Sequence, residues 1–356
     1  MPRGRRALIL WRLPHIWPKK AARALTVQAE LTPAAKRNIV VGVMLAMFLA
    51  SLDSTIVAPA LPTIGAKLGD AAFLPWIVSA YFLTSTAVTP LYGKLSDIHG
   101  RRPVILSALG LFLLGSVACA LSPTMLALIL ARGLQGIGGG GLIALAQTVV
   151  ADIASPRERA RYTVHITTVW ATASIAGPAL GGFLAQYWSW TVIFWLNLPI
   201  GALAYAVCDG LLRHLPQQRR PHRLDWLGGA LVIGATVALN LMLTLGGGAL
   251  PWASREVLAL GAAAVILAAA FVWRLRVAPE PLIPPGIFAN RVVDKATTAM
   301  LFGMLVYVSA TVYMPIYFET VLRLDPTTSG LGLIIVLGAS VIGSSVTGIN
   351  LPKLKR

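Results

Sequence analysis

Ten apolar blocks, each close to 20 residues long, dominate this chain of 356 residues. That length matches the roughly 20 residues that a helix needs to cross about 30 Å of hydrocarbon. Inside the hydrocarbon the backbone finds no water, so a spanning segment must bond internally as a helix or join a closed barrel. The blocks are too long for strands and predict an all-α polytopic membrane protein, with spans at about 39–61, 73–92, 104–121, 126–150, 165–186, 189–211, 226–247, 256–273, 296–318 and 328–350.

The composition supports the same fold class. Hydrophobic residues make up 56% of the chain and charged residues 12%, whereas an ordinary soluble domain carries about 25% charged residues. A chain of this length with so few charged residues does not have enough charged surface to remain soluble in water. The composition therefore excludes a cytosolic enzyme, a secreted disulfide scaffold and a disordered regulator.

The net charge of +17 could suggest nucleic-acid binding, but the positions of the basic residues argue otherwise. Lys and Arg cluster in alternate loops, while the intervening loops hold only Lys67, Arg255 and Arg323. An excess of basic residues marks the cytoplasmic loops of membrane proteins. We therefore predict a multi-pass protein of the cell membrane with both termini in the cytoplasm, and the lipid bilayer rather than nucleic acid as partner.

Two charged residues lie well inside the predicted spans. They are Asp53, alone among the acids, and Arg132, alone among the bases. Each costs about 2.5–3.5 kcal/mol at mid-bilayer on insertion scales. Both lie about 10–12 Å from the predicted outer side of the membrane, at 1.5 Å per residue along their spans. One interpretation is a carboxylate that loads and releases a proton beside a guanidinium that modulates it. The alternative is an ion pair that only joins two helices.

Further polar side chains inside the spans could line a cavity for a small-molecule substrate or simply bond a neighbouring helix. They are Tyr81, Gln135, Gln147 and Asn197. The five histidines show no metal-ligand spacing such as H-x-x-x-H, and the two cysteines have the character of small apolar residues. We therefore predict no enzyme activity, no metal and no cofactor.

The segment from Gly93 to Pro103 is predicted to be a cytoplasmic turn. Gly93 and Gly100 permit a tight turn, and Asp97 is suited to cap or stabilise a helix N-terminus. Arg101 and Arg102 are expected to anchor the inner face.

Two glycine-rich stretches lie inside spans. Gly136–Gly141 matches G-x-G-x-x-G, but no strand precedes it, so it predicts close helix packing rather than a dinucleotide site. Gly177, Pro178, Gly181 and Gly182 combine a helix-kinking proline with a G-x-x-x-G spacing. That combination fits either a hinge or seal between helix bundles or a packing kink without a gating role.

Together these segments resemble the major facilitator superfamily. Gly93–Arg102 resembles its signature loop between helices two and three, and Arg132–Gly138 resembles the fourth-helix motif tied to proton transfer. Gly177–Gly182 resembles the fifth-helix motif typical of antiporters. Leu52–Pro62 and Trp195–Gly201 are similar to segments of the fourteen-helix drug:proton antiporters of the EmrB/QacA type.

The resemblance implies a domain organisation. It divides the chain into a basic cytoplasmic tail (1–38), a six-helix bundle (39–211), two inserted helices (212–273), a proline-rich cytoplasmic linker (274–295) and the first two helices of a second bundle (296–356). The last two spans also repeat the proline-to-glycine spacing of the first two, as transporters built by duplication do. On this interpretation the chain is C-terminally truncated.

The resemblance also implies a function, namely proton-coupled efflux of amphipathic or cationic small molecules such as drugs. Asp53 would carry the proton, which is the coupling ion, Arg132 would modulate it, and Gly177–Gly182 would shape the gate. Export of a self-made metabolite or antibiotic, and an inactive remnant of a transporter, remain alternatives. Self-association of chains is left open.

Overall fold

The computed structural model describes residues 32–69, 73–213, 225–287 and 290–323, together with the isolated residues 339, 342, 343 and 346. The predicted tail up to residue 31 and nearly all of the tenth span lie outside these residues. Within them the chain forms α1 (Pro33–Ile56), α2 (Leu61–Leu68), α3 (Leu74–His99), α4 (Arg101–Ala120), α5 (Met125–Ile153), α6 (Pro156–Tyr187), α7 (Trp190–Leu212), α8 (Trp226–Leu245), α9 (Arg255–Val277) and α10 (Arg291–Thr320).

The all-helical membrane fold is confirmed. Among the described residues, eight helical segments are long and apolar enough to cross a membrane, from Pro33–Leu68 to Arg255–Val277. The ninth predicted span falls within α10. The described chain is therefore a multi-pass helical membrane protein.

The first predicted span, 39–61, is interrupted in the structure. Helix α1 ends at Ile56, and a short 3₁₀ turn at Ala58–Ala60 leads into α2. Pro59 lies in this turn, and proline has no N–H for a helical hydrogen bond and clashes with the preceding turn. The apolar run therefore continues, but as two helices.

The predicted turn at Gly93–Pro103 is mostly helical, so its expected local structure was wrong. Helix α3 continues to His99, and the chain reverses only at Gly100, whose φ of 94° suits a residue without a side chain. Asp97 lies in the last turn of α3 and does not cap α4, because the N-cap position is Gly100 without a side-chain cap. Nothing in residues 93–99 stops a helix, so the helix runs until glycine permits the turn.

Helix α5 packs at the centre of the bundle, against α1, α3 and α4. A Cβ atom added at Gly138 would lie 2.4 Å from the Phe112 backbone nitrogen on α4. One added at Gly140 would lie 2.3 Å from the Ser85 carbonyl oxygen on α3. The prediction that this glycine run serves close packing is confirmed, because any side chain there would push the helices apart.

Helices α8 and α9 form a hairpin on the outside of the bundle. Helix α8 packs against α3, and α9 packs against α8. Asp225 caps α8 by accepting a hydrogen bond from the Gly228 N–H, and it also accepts one from Arg274 Nε on α9 at 3.1 Å. The hairpin therefore packs on the outer surface of the first six spans, through α3.

Candidate functional site

A layer of polar side chains crosses the bundle between two apolar clusters. On α1, residues up to Ala50 belong to one cluster and residues from Ile56 onward belong to the other, with Asp53 between them. The same change of cluster occurs around Ser116 on α4 and Asn197 on α7. We call this layer the Asp53 cluster; its members, each at most 1% exposed, are Asp53, Ser116, Arg132, Gln135 and Asn197.

Both oxygens of the Asp53 carboxylate accept hydrogen bonds. Oδ2 accepts one from Arg132 Nη1 at 2.6 Å. Oδ1 accepts one from Gln135 Nε2 at 2.9 Å and one from Asn197 Nδ2 at 2.7 Å. Hydrogen bonds to an ionised group are the stronger kind, so the site is built to hold a carboxylate.

The guanidinium of Arg132 is enclosed on several sides. Nη1 also donates to Gln135 Oε1 at 2.6 Å, and Nε donates to the Ile77 carbonyl at 3.2 Å. The guanidinium carbon lies 4.3 Å from the centre of the Tyr81 ring, within the range of a cation–π interaction. These neighbours compensate for the loss of water around a fully buried cation.

Ser116 connects the two amides that bind Asp53. Its Oγ accepts hydrogen bonds from Gln135 Nε2 at 2.6 Å and from Asn197 Nδ2 at 3.0 Å. The Cys119 thiol, one turn further along α4, donates weakly to Gln135 Oε1 at 3.5 Å. The cluster therefore joins α1, α4, α5 and α7.

The structure brings together most of the predicted site residues in the spans. Asp53 and Arg132 form an ion pair, and Gln135 and Asn197 bind the same carboxylate. Tyr81 stacks on Arg132 and donates its hydroxyl to the Ala50 carbonyl at 3.3 Å. Gln147 lies elsewhere, on an exposed face of α5.

Ser116 was not among the site residues predicted from the sequence. A serine in a membrane helix commonly bonds to its own backbone, and no sequence signal distinguishes Ser116 from serines that do so.

The arrangement of charges permits proton chemistry at Asp53. With the carboxylate ionised, the Asp53–Arg132 pair is neutral overall. Arginine stays protonated in proteins, so a proton taken up by the pair would reside on the carboxylate. Uptake would leave the cluster with one net positive charge and would weaken the contact between α1 and α5.

A second set of ionic contacts joins the helices around the segment 93–102. Arg101 Nη2 lies 2.8 Å from Asp97 Oδ1 on α3, and Arg101 Nε lies 2.7 Å from Asp152 Oδ2 on α5. Arg101 also donates to the Ser96 hydroxyl. One arginine at the start of α4 therefore ties α3 and α5 together at this end of the bundle.

Arg102 makes the equivalent contact to the other side of the bundle. Its Nη2 lies 2.5 Å from Asp209 Oδ1 near the end of α7, and Arg213 binds the second oxygen of Asp209. The sequence predicted anchoring roles for Arg101 and Arg102 but named neither Asp152 nor Asp209. Their separation in sequence hid these partners, because nothing local indicates which helix ends meet.

The predicted gate segment packs directly on α1. A Cβ atom at Gly177 would lie 2.0 Å from Thr55 Oγ1, and one at Gly181 would lie 2.0 Å from the Ile56 carbonyl oxygen. Thr55 Oγ1 donates to the Ala173 carbonyl at 2.9 Å. Pro178 lies within the continuous helix α6, and Gly182 is the less crowded neighbour.

In the part of the chain that the structure describes, no group of three or more His, Cys, Asp or Glu residues could hold a metal ion.

The family model and the relatives that match this chain all belong to one family. The sequence model of the Major Facilitator Superfamily matches residues 43–356. The chain is 37% identical over 316 residues to Efflux pump dotC of Dothistroma septosporum, covering 86% of this chain and 54% of that protein. It is 34% identical over 319 residues to Multidrug resistance protein 3 of Bacillus subtilis, covering 89% and 62%. The chain thus spans about half the length of the first of these relatives.

Solved structures share the fold. The proton:xylose symporter XylE aligns with a TM-score of 0.61 at 15% identity, covering 92% of this chain and 71% of that one. The human organic anion transporter MFSD10 aligns with a TM-score of 0.52 at 18% identity, covering 90% and 86%.

Proposed function

Because this chain belongs to the major facilitator superfamily, we propose that it acts in proton-coupled efflux of amphipathic or cationic small molecules across the cell membrane. Its relatives include proteins named as efflux pumps and as a multidrug resistance protein, which supports export as the direction of transport. We further propose the fourteen-helix drug:proton antiporter type, on the strength of the first-helix segment Leu52–Pro62.

The single observation that carries the proposal is the buried Asp53–Arg132 pair. Both side chains are buried, and the layers on either side of the Asp53 cluster are apolar. A buried ion pair gains little stability over well-packed apolar residues, and ionisable residues inside membranes commonly belong to ion or proton pathways. Exchange of a proton on Asp53 would account for a buried ion pair that adds little to stability.

The coupling of proton binding to helix movement follows from the contacts that Asp53 makes. In the ionised form the carboxylate holds α1 to α5 through Arg132 and to α7 through Asn197. Protonation removes the negative charge that attracts Arg132, so the helices are freed to change their packing. A movement of this kind is the step that alternating access requires.

Two other regions support the same mechanism. The contact of α6 with α1 through Gly177 and Gly181 is close enough for α6 to act as a gate element beside Asp53. The ionic contacts of Arg101 and Arg102 would hold the bundle together as a rigid unit at one end. We assign that end to the cytoplasm because it carries the basic loops.

The test is efflux of a fluorescent cationic dye from cells that produce this chain. Efflux should be abolished by a protonophore and by Asp53→Asn, which keeps the shape of the side chain but cannot carry the proton. The matched control is Asp225→Asn, because Asp225 is also buried and paired with an arginine but lies outside the Asp53 cluster, and asparagine is equally suited to cap a helix. That control should transport normally.

Two results would contradict the proposal. Unchanged proton-linked efflux in Asp53→Asn would remove Asp53 from the mechanism. Absence of efflux from a chain shown to be inserted in the membrane would refute transport by this chain. Replacing the dye by metabolites that the host itself makes distinguishes a drug exporter from a metabolite exporter.

A further inference from the structure

The carboxylate of Asp53 is surrounded by donors. Its two oxygens contact Arg132 Nη1, Gln135 Nε2 and Asn197 Nδ2, and none of these nitrogens can accept a hydrogen bond. A protonated carboxyl group, however, needs an acceptor for its own O–H. The geometry in the structure therefore suits the ionised form and opposes the protonated one.

The orientation of both amides is set by their other contacts. Arg132 Nη1 donates to Gln135 Oε1, so the carbonyl side of that amide faces the arginine and the nitrogen faces Asp53. Ser116 Oγ accepts from both amide nitrogens. Because Ser116 receives a second hydrogen bond from each, neither amide turns without losing two contacts.

An asparagine in a membrane helix can satisfy its side-chain amide by a hydrogen bond to the backbone of its own helix. Asn240 on α8 does that, since its Nδ2 donates to the Thr236 carbonyl of its own helix at 2.9 Å. Asn197 instead reaches from α7 to Asp53 on α1 and Ser116 on α4.

We propose that Asn197 and Ser116 are positioning residues for proton binding at Asp53, an inference that rests on the proposed proton-coupled function. They hold the carboxylate in its ionised form, and proton uptake requires the Asn197 amide to turn or α7 to move away from α1. Among the described residues, the charged or titratable groups facing Asp53 are Arg132 on α5, Tyr81 on α3 and Cys119 on α4. Helix α7 adds only the neutral Asn197.

The experiment is an infrared titration of the full chain in lipid nanodiscs. The C=O stretching band of the protonated Asp53 carboxyl group is identified by its loss in Asp53→Asn. Asn197→Leu removes a donor to the carboxylate and should shift the midpoint of protonation to higher pH by about one unit. Ser116→Ala frees both amides and should shift it in the same direction, whereas Ser116→Thr keeps the hydroxyl and should restore the original midpoint.

Asn240→Leu is the matched control and should leave the midpoint unchanged. Unshifted midpoints in both Asn197→Leu and Ser116→Ala would overturn the inference, and so would the absence of any titrating band in every variant. If Asn197→Leu does not fold, Ser116→Ala decides the question. The titration does not depend on transport, so a shifted midpoint in a chain without efflux would refute the proposed function and leave this inference standing.

Discussion

Gly181 and Gly182 are adjacent in α6, yet the structure predicts opposite effects for the same substitution. A Cβ atom at Gly181 would lie 2.0 Å from the Ile56 carbonyl oxygen on α1. A Cβ atom at Gly182 would have nothing nearer than Pro59 Cβ at 3.9 Å, an ordinary van der Waals contact. We therefore expect Gly181→Ala to destabilise the chain and Gly182→Ala to be tolerated.

The size of the effect follows from three contributions. Carbon and carbonyl oxygen approach to about 3.3 Å at the closest, so α6 and α1 must separate by about 1 Å in Gly181→Ala, a strain of about 1–3 kcal/mol. That separation also weakens the hydrogen bond from Thr55 to Ala173, worth about 0.5–1.5 kcal/mol. The higher helix propensity of alanine offsets about 1 kcal/mol of this loss of stability.

The net expectation is a loss of about 0.5–3.5 kcal/mol for Gly181→Ala and a gain of up to about 1 kcal/mol for Gly182→Ala. The measurement is the midpoint of unfolding of the full chain in mixed detergent micelles. If Gly181→Ala were as stable as Gly182→Ala, the close approach of α6 to α1 would not exist in the folded protein.

Two other parts of the fold give testable predictions. Gly140→Ala places a carbon 2.3 Å from the Ser85 carbonyl oxygen and should lower the free energy of unfolding by about 1–3 kcal/mol. Gly133→Ala, whose added carbon would have its nearest neighbour 3.7 Å away, should unfold at or above the original midpoint. Equal unfolding midpoints for the two variants would refute this contrast. Ser155→Ala removes the cap of α6 and should cost about 0.5–2 kcal/mol. The Ser155 backbone N–H lowers the pKa of Glu158 below its ordinary value of 4.5, so the small stabilisation by Glu158 is present above pH 4.5 and is lost as the pH falls through the lowered pKa. Glu158→Gln should abolish this acid dependence of the unfolding midpoint, and its persistence would assign the dependence to another group.

The central ion pair could be inferred without a structure because charges are rare in apolar spans. Asp53 and Arg132 stand out against their neighbours, and counting residues from the span ends places them at similar depth. Their contact at 2.6 Å follows from that depth and from the packing of α1 beside α5.

Other parts of the site could not be inferred in the same way. Ser116 has the same local sequence character as serines that bond only to their own helix, and Asp209 resembles any acid at the end of a span. Their partners, Asn197 and Arg102, are far away in the sequence. The predicted cap by Asp97 failed for a different reason, because α3 continues through Asp97 to His99 and the N-cap position of α4 is Gly100.

The sequence by itself determined the helical class, the approximate positions of the described spans and the position of the buried charges. These depend on length, hydrophobicity and local charge, which each segment carries on its own. Only the tertiary structure decided which polar groups meet, because that depends on how each helix is rotated and how closely it approaches its neighbours. Those approaches are set by glycines such as Gly138 and Gly181, whose contacts lie on other helices.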